Sequence, residues 1–280
     1  MKRYYVLGDP VAHSLSPELH QTAFREIGWP ATYEAMRIGS HTEALEVLRS
    51  PDVYGASVTI PLKVPLCPFM DELDQWAEIT GAVNTVVKRD KRLHGLNTDV
   101  HGVIGALTVH GERIQRGTAC VLGSGGAARA VGIALDQLGL SRIWFLARSP
   151  DRAEALVREL QPNIEAELQA AKLGSKKAEH TLGQSNVVCN ATPLGMHPRT
   201  RETPVDAALL QPGCVVFDAV YVPRKTLFLE QSRSRGCLVV DGVKMFLQQA
   251  AQQFMLWTDV DPPIETMEKV LDMRLGAGFS

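Results

Sequence analysis

Short apolar runs alternate with longer amphipathic stretches along the whole chain. In the first third, YYVLG, TYEAMRIG, YGASVTI and VNTVVKR read as strands, with helices at SPELHQTAFREIG and TEALEVLRS. A second set of strands follows at TACVL (118–122), RIWFLAR (142–148), SNVVCNAT, CVVFDAV and CLVVDG. Ala153, Leu156, Val157 and Leu160 recur at helical spacing in RSPDRAEALVREL, and AARAVGIALDQLGL and VKMFLQQAAQQFMLWT carry the same period. IETMEKVLDMRL closes the chain as a last amphipathic helix. Strand and helix signals in alternation, with no internal repeat, predict an α/β fold.

The turn between TACVL and its helix is VLGSGGAARA. Gly123, Gly125 and Gly126 open a small-residue segment, and Ala128 stands where the third small residue of a dinucleotide fingerprint belongs. Such a turn lets backbone N–H groups approach a pyrophosphate, which then sits at the positive end of the helix dipole. The next strand ends in Ala147, Arg148 and Ser149, without the acidic residue that accepts a bare ribose 2′-OH. Arg148 and Arg152 bracket a helix start that Ser149 is placed to cap, with Pro150 at its first position. Guanidinium groups beside a helix N-terminus suit a 2′-phosphate, so the expected cofactor is NADP(H).

Composition narrows the remaining classes. The 280 residues suffice for two domains, and 45% hydrophobic with 21% charged residues is ordinary for a globular protein. A net charge of −2 argues against nucleic acid as a partner. No apolar run reaches the roughly 18 residues of a membrane span, and MKRYYVLGDP lacks a signal-peptide core, so a cytoplasmic protein is expected. The five cysteines (67, 120, 189, 214 and 237) are scattered through apolar segments, which suggests neither disulfides nor a metal site.

A nicotinamide cofactor carries the hydride, so the protein must bind a carbonyl or alcohol and relay one proton. GDPVAHSLSPELH, after the first strand, offers His13, Ser14, Ser16 and His20, with Ser16 also placed to cap the helix from Pro17. SVTIPLKVP places Lys63 just beyond a strand end; GAVNTVV and HGLNTDVHG add two Asn-Thr pairs and Asp99, the latter at a helix start. If these loops converge, Lys63 and Asp99 form a pair able to move a proton at the reacting oxygen.

HSLSPELH, VTIPLK, GAVNT, GLNTDVHG, GSGGAARA, NATPLGM, DAVYVPRKT and GVKMFLQQAAQQF occur in the order found in the shikimate dehydrogenase family, which the chain resembles from residue 8 to 258. The resemblance implies an N-terminal α/β substrate domain (1–100) completed by C-terminal helices (243–280), with a Rossmann-like NADP-binding domain (101–242) between them and catalysis in the cleft. It further implies reversible NADPH-dependent reduction of 3-dehydroshikimate to shikimate, on the route to aromatic amino acids. Lys63 and Asp99 match the catalytic pair, and Ser14 and Ser16, helped by Tyr221, match the groups holding the substrate carboxylate. Thr59, Asn84 and Gln249 match positions facing the ring hydroxyls and reacting centre; Gln248 is the alternative to Gln249. Gly123, Gly125, Gly126 and Ala127 match the pyrophosphate loop, Arg148, Ser149 and Arg152 the 2′-phosphate clamp, and Thr192, Val220, Gly242 and Met245 the nicotinamide side. Asn84 and Thr192 could instead tie turns, and Met245 could belong to the core.

The chain departs from the family pattern in four places. Ser57 replaces the Asn common before Val58-Thr59, Ala147 the usual Asn before Arg148, and Lys244 and Val222 stand where Gly and Asn are common. These departures bear on substrate preference and cofactor stringency. The rival readings are a quinate or dual quinate/shikimate dehydrogenase, a relative acting on an aminated ring acid, and a catalytically silent metabolite sensor. The expected partner is a small molecule, and the oligomeric state is open between monomer and homodimer.

Overall fold

The computed structural model describes residues 1–276 and 278. They form two compact units, 1–98 with 247–274, and 99–246 with the residues from Leu275 onward. The expected divisions after 100 and after 242 compare with divisions after 98 and after 246.

The first unit contains β1 (Lys2–Gly8), α1 (Ser16–Glu26), β2 (Ala31–Arg37), α2 (His41–Arg49), β3 (Val53–Val58), α3 (Lys63–Leu66), β4 (Glu72–Leu73), α4 (Gln75–Thr80), β5 (Thr85–Arg89) and β6 (Arg92–Leu96). Its sheet runs β2-β1-β3-β5-β6-β4; β2, β1 and β3 are parallel, and β5 is antiparallel to both its neighbours. Alternation along β1 sends Tyr5 and Leu7 into one core layer with Leu48, Val58, Leu62, Val83 and Leu93. Tyr4 points the other way, 5.3 Å from Phe24 and 5.2 Å from Trp257 between ring centroids. Close approach on that face requires Gly55, since a Cβ there would lie 2.5 Å from Trp257 Nε1.

The second unit contains α5 (Asp99–Leu107), α6 (Gly111–Ile114), β7 (Thr118–Leu122), α7 (Gly126–Gln137), β8 (Arg142–Ala147), α8 (Pro150–Leu160), β9 (Glu167–Lys172), α9 (Lys176–Leu182), β10 (Val187–Asn190), β11 (Val215–Asp218), α10 (Leu227–Ser234) and β12 (Leu238–Val240). α11 (Gly242–Thr258) begins in this unit and crosses into the first at Leu247; α12 (Ile264–Leu275) follows. The sheet order is β12-β11-β10-β7-β8-β9, entirely parallel. Strand order therefore reverses between β7 and β10, the switch point at which doubly wound sheets bind ligands beyond their carboxyl ends. Cys120, Cys214 and Cys237 pack in its core with Leu122, Leu146, Val188 and Phe228, where they act as small buried hydrophobes.

α3, β4, α4, β6, α6, β9, α9 and α10 add to the elements read from the pattern. β9 is an edge strand with charged ends and partly exposed centre, so its apolar signal is weak. Among the described residues no helix is long and apolar enough to cross a membrane.

Candidate active site

In the first unit the carboxyl ends of β1 and β3 and the entry to β5 are stitched together by the backbone. Thr59 N–H donates to the Leu7 carbonyl at 2.9 Å, Asp9 N–H to Ile60 at 2.8 Å, and Val58 N–H to Asn84 at 2.7 Å. Val83 N–H donates to the Lys63 carbonyl at 2.8 Å, which fixes the start of α3 beside the Asn84 turn. Lys63, Thr59 and Asn84 thus stand at one end of this sheet. Lys63 and Thr59 are half-buried; Asn84 is buried.

Asn84 does tie a turn. Its Oδ1 accepts from Thr98 N–H at 2.8 Å and from the Thr85 hydroxyl at 2.8 Å. Its Nδ2 donates to Thr98 Oγ1 at 2.9 Å and to Gln249 Oε1 at 3.5 Å. Gln249 is buried whereas Gln248 is exposed, which places Gln249 on the inward face of α11. Asp99, buried, follows Thr98 directly and opens α5.

The serine loop differs from expectation in its capping. α1 begins at Ser16 itself, and Ser16 makes no capping hydrogen bond. Ser14 does the local work: its hydroxyl accepts from Ser16 N–H at 3.2 Å. His20 is no surface group either. It lies on the buried stripe of α1 with Leu19, Ala23 and Phe24, stacked on Tyr33 at 4.6 Å, and neither ring nitrogen has a hydrogen-bond partner. Burial pushes its pKa from 6.5 down to about 3, a pull that the neighbouring Gln253 opposes.

In the second unit the glycine turn follows β7 and faces the loop after β10. Gly123 has φ +119°, and a Cβ there would lie 3.2 Å from the Ala191 carbonyl oxygen and 3.3 Å from Thr192 Cγ2, so this position demands glycine. Gly125 is exposed, and a Cβ added to it would meet nothing within 4 Å, leaving open backbone at the N-terminus of α7, which starts at Gly126 and Ala127. Arg148 and Arg152 are exposed and, among the described residues, form no salt bridge. Arg148 borders a groove of about 320 Å³ with Leu173, Gly174, Pro204 and Val205. Ser149 occupies the N-cap position of α8, but its side chain makes no capping bond, which corrects the expected cap. Open glycine backbone, a helix N-terminus and two exposed guanidinium groups fit a dinucleotide bearing an extra phosphate.

Beyond β10 and β11 lies a polar knot that sequence reasoning missed. Asn190 Nδ2 donates to Asp218 Oδ1 at 2.9 Å and to the Leu194 carbonyl at 3.0 Å. Asn190 Oδ1 accepts from the Thr192 hydroxyl at 2.7 Å, so Thr192 also ties its turn. Asp218 accepts from Val220 N–H at 3.0 Å and from the Thr226 hydroxyl, the α10 cap, at 2.7 Å. Burial raises the Asp218 carboxyl from 3.8 to about 6, against those hydrogen bonds. Gly242 is crowded, for a Cβ would meet the carbonyl oxygens of Val220, Ala219 and Asp218 at 2.7, 2.8 and 2.8 Å. Tyr221 stacks on Phe246 at 4.3 Å, and Met245 and Val220 are buried. The signal available for the knot was an apolar run ending in Asn or Asp at both strand ends.

Residues 6–86 match the family model for the shikimate dehydrogenase substrate binding domain, and residues 242–271 that for the shikimate 5′-dehydrogenase C-terminal domain. A shikimate dehydrogenase (NADP(+)) from Symbiobacterium thermophilum is 38% identical over 94% of this chain and 90% of its own length. The shikimate 5-dehydrogenase of Thermus thermophilus, solved in complex with NADP(H) and shikimate, is 36% identical, with a TM-score of 0.86 over 98% of this chain and 99% of that one. Quinate dehydrogenase from Corynebacterium glutamicum, solved with NAD, is 28% identical with a TM-score of 0.86 over 96% of this chain and 98% of that one. With such identity along nearly its whole length, the chain belongs to the shikimate dehydrogenase family.

Proposed function

We propose that the chain is an NADP-dependent oxidoreductase interconverting 3-dehydroshikimate and shikimate. The observation that carries this reading is likeness over 98% of the chain to a protein solved with both NADP(H) and shikimate. The first unit, with α11, is the substrate-binding half, and the second unit holds the cofactor.

Bound NADPH supplies a hydride to the ring carbon that bears the keto group. Lys63 donates a proton to the oxygen as its charge develops, and takes it back in the oxidative direction. Asp99 orients the ammonium. Ser14, Ser16 and Tyr221 hold the carboxylate; Thr59, Asn84 and Gln249 meet the ring hydroxyls and reacting centre. Gly123, Gly125, Gly126 and Ala127 receive the pyrophosphate, and Arg148, Ser149 and Arg152 the 2′-phosphate. Thr192, Val220, Gly242 and Met245 border the nicotinamide, with the Asn190–Asp218 knot holding two of their loops in place.

Quinate is the second substrate to weigh, because the quinate dehydrogenase of Corynebacterium glutamicum is as similar in structure as the shikimate enzyme of Thermus thermophilus, each with a TM-score of 0.86. Initial rates with shikimate and quinate, each with NADP+ and NAD+, test both readings. Fastest turnover of shikimate with NADP+ is expected; no turnover of either acid would leave a relative acting on an aminated ring acid or a silent sensor. The reading also carries a cytoplasmic enzyme with small-molecule partners only, working as a monomer or homodimer.

A further inference from the structure

Tyr221, assigned above to the substrate carboxylate, sits in the loop that joins β11 to α10, and this loop is fastened on both sides of it. On the near side, Val220 N–H donates to Asp218 Oδ1 at 3.0 Å. The carbonyl oxygens of Asp218, Ala219 and Val220 press there on the first turn of α11, so closely that only glycine fits at 242. On the far side, Arg224 Nε donates to Asp241 Oδ2 at 3.0 Å, in an ion pair largely withdrawn from water. Asp241 also accepts from Val243 N–H through Oδ1 at 3.1 Å, so one carboxylate ties the loop to the start of α11. The backbone at Tyr221 is thereby held against this helix.

A held backbone does not by itself aim a phenol. The staggered wells of χ1 would carry the hydroxyl to well-separated places. Phe246 supplies the missing constraint. It lies four residues after Gly242, one turn further along the same face of α11. Its ring is buried and stacks on that of Tyr221, with centroids 4.3 Å apart and planes within 15° of parallel. Gly242 thus lets the helix approach the loop, and Phe246 gives the half-buried Tyr221 ring a flat surface to lie against.

We propose that Phe246 is a positioning residue, whose buried ring sets the plane of Tyr221 and so aims the phenol hydroxyl at the substrate carboxylate. The inference rests on the shikimate reading and, within it, on Tyr221 meeting the carboxylate. Phe246 acts through Tyr221 alone, so its effect belongs to substrate binding and not to hydride transfer.

The test measures kcat and KM for shikimate with NADP+ in the full chain. Tyr221→Phe keeps the ring and loses only the hydroxyl, and should raise KM at least about tenfold. Phe246→Leu and Phe246→Met keep an apolar side chain but remove the flat surface; each should raise KM about three- to tenfold, with kcat within about twofold of wild type and NADPH affinity by fluorescence titration unchanged. Without the hydroxyl its aim no longer matters, so either Phe246 change should add less than about twofold in the Tyr221→Phe background. A wild-type KM in a folded Phe246 variant overturns the proposal. So does NADPH affinity falling in proportion to KM, or an undiminished effect in the Tyr221→Phe background. Leucine and methionine remove the same ring, so if one variant does not fold the other decides. A wild-type KM in Tyr221→Phe would instead remove the carboxylate role of Tyr221, and failure of the wild type to oxidise shikimate would remove the functional reading; either result takes this inference with it and is distinct from its own failure.

Discussion

The side-chain amide of Asn190 donates to Oδ1 of Asp218 across 2.9 Å, joining the carboxyl ends of two neighbouring parallel strands, β10 and β11. Asp218 is fully buried, and burial lifts its pKa from 3.8 to about 6. For an acid whose native pKa is raised, the ionised native form is penalised. The penalty is complete above about pH 6 and fades as pH falls toward 4, amounting to about 3 kcal/mol for a shift of this size. Asn at 218 keeps an oxygen for Asn190 and Val220 and offers its NH2 to Thr226. Asp218→Asn should therefore melt higher than wild type at pH 7.5, with the gap narrowing toward pH 4.5; a constant gap across thermal melts would refute the assignment.

His20 has the opposite dependence. Its native pKa of about 3 lies below the 6.5 of the exposed ring, so the stability tied to its neutral form is whole above pH 6.5 and drains away as pH drops toward 3. At pH 5 the loss from this one group is about 2 kcal/mol. His20→Phe keeps the stacking on Tyr33 and the edge contact with Trp257 while discarding two unpartnered ring nitrogens. Denaturant melts should find the variant more stable than wild type at pH 5 by roughly that amount, and little changed at pH 8.

The proton relay is tested at Lys63. A positioned acid–base group is worth about 10²- to 10⁴-fold, so Lys63→Ala should lower kcat at least about 100-fold. Binding of NADPH should be nearly untouched, since the loops proposed to hold the cofactor belong to the other unit. Unchanged turnover would remove Lys63 from the mechanism.

The proposed 2′-phosphate contact is tested at Arg148. A charge-assisted hydrogen bond to phosphate is worth roughly 1.5–3 kcal/mol, so Arg148→Ala should raise KM for NADP+ by about 10- to 100-fold while leaving KM for NAD+ nearly alone. An equal loss with both cofactors would mean that the guanidinium does not meet the 2′-phosphate.

Two glycines separate packing from binding. Gly242→Ala forces a Cβ against three carbonyl oxygens at 2.7–2.8 Å and should cost about 1–3 kcal/mol in thermal stability. Gly125 has an extended backbone (φ −93°, ψ −170°), and a Cβ there would find nothing within 4 Å. Gly125→Ala should therefore melt with the wild type yet raise KM for NADP+ if this turn holds the pyrophosphate as proposed, because the added methyl would then intrude on it. A normal KM would argue that this turn does not hold the cofactor.

Much of the second unit could be read directly. TACVL became β7 at 118–122, RIWFLA became β8, and Pro150 and Asp151 opened α8 as the helix-start rules require. β9 escaped because an edge strand need not be apolar on both faces. His20 was grouped with the polar residues of the serine loop, whereas the structure puts it on the core stripe of α1 with Leu19, Ala23 and Phe24, and Gln253 lies one turn after Gln249 on α11. What the pattern left open was the meaning of those polar residues on inward faces.

The order of letters determined what acts over a few residues: periodicity, turns that only glycine tolerates, proline at a helix start, and arginines beside a strand end. Tertiary structure alone decided which polar groups meet. Ser57 and Gln253 are 196 positions apart and share a hydrogen bond, and Asn190 and Asp218 are 28 apart. Ser14 rather than Ser16 holds the start of α1, and Ser149 leaves its cap unused, although nothing in the local letters sets these serines apart. The reason is physical. Local propensity is set by neighbouring backbone and side chains, whereas a buried donor takes whichever acceptor the packed core brings within about 3 Å, and that neighbour is supplied by the fold.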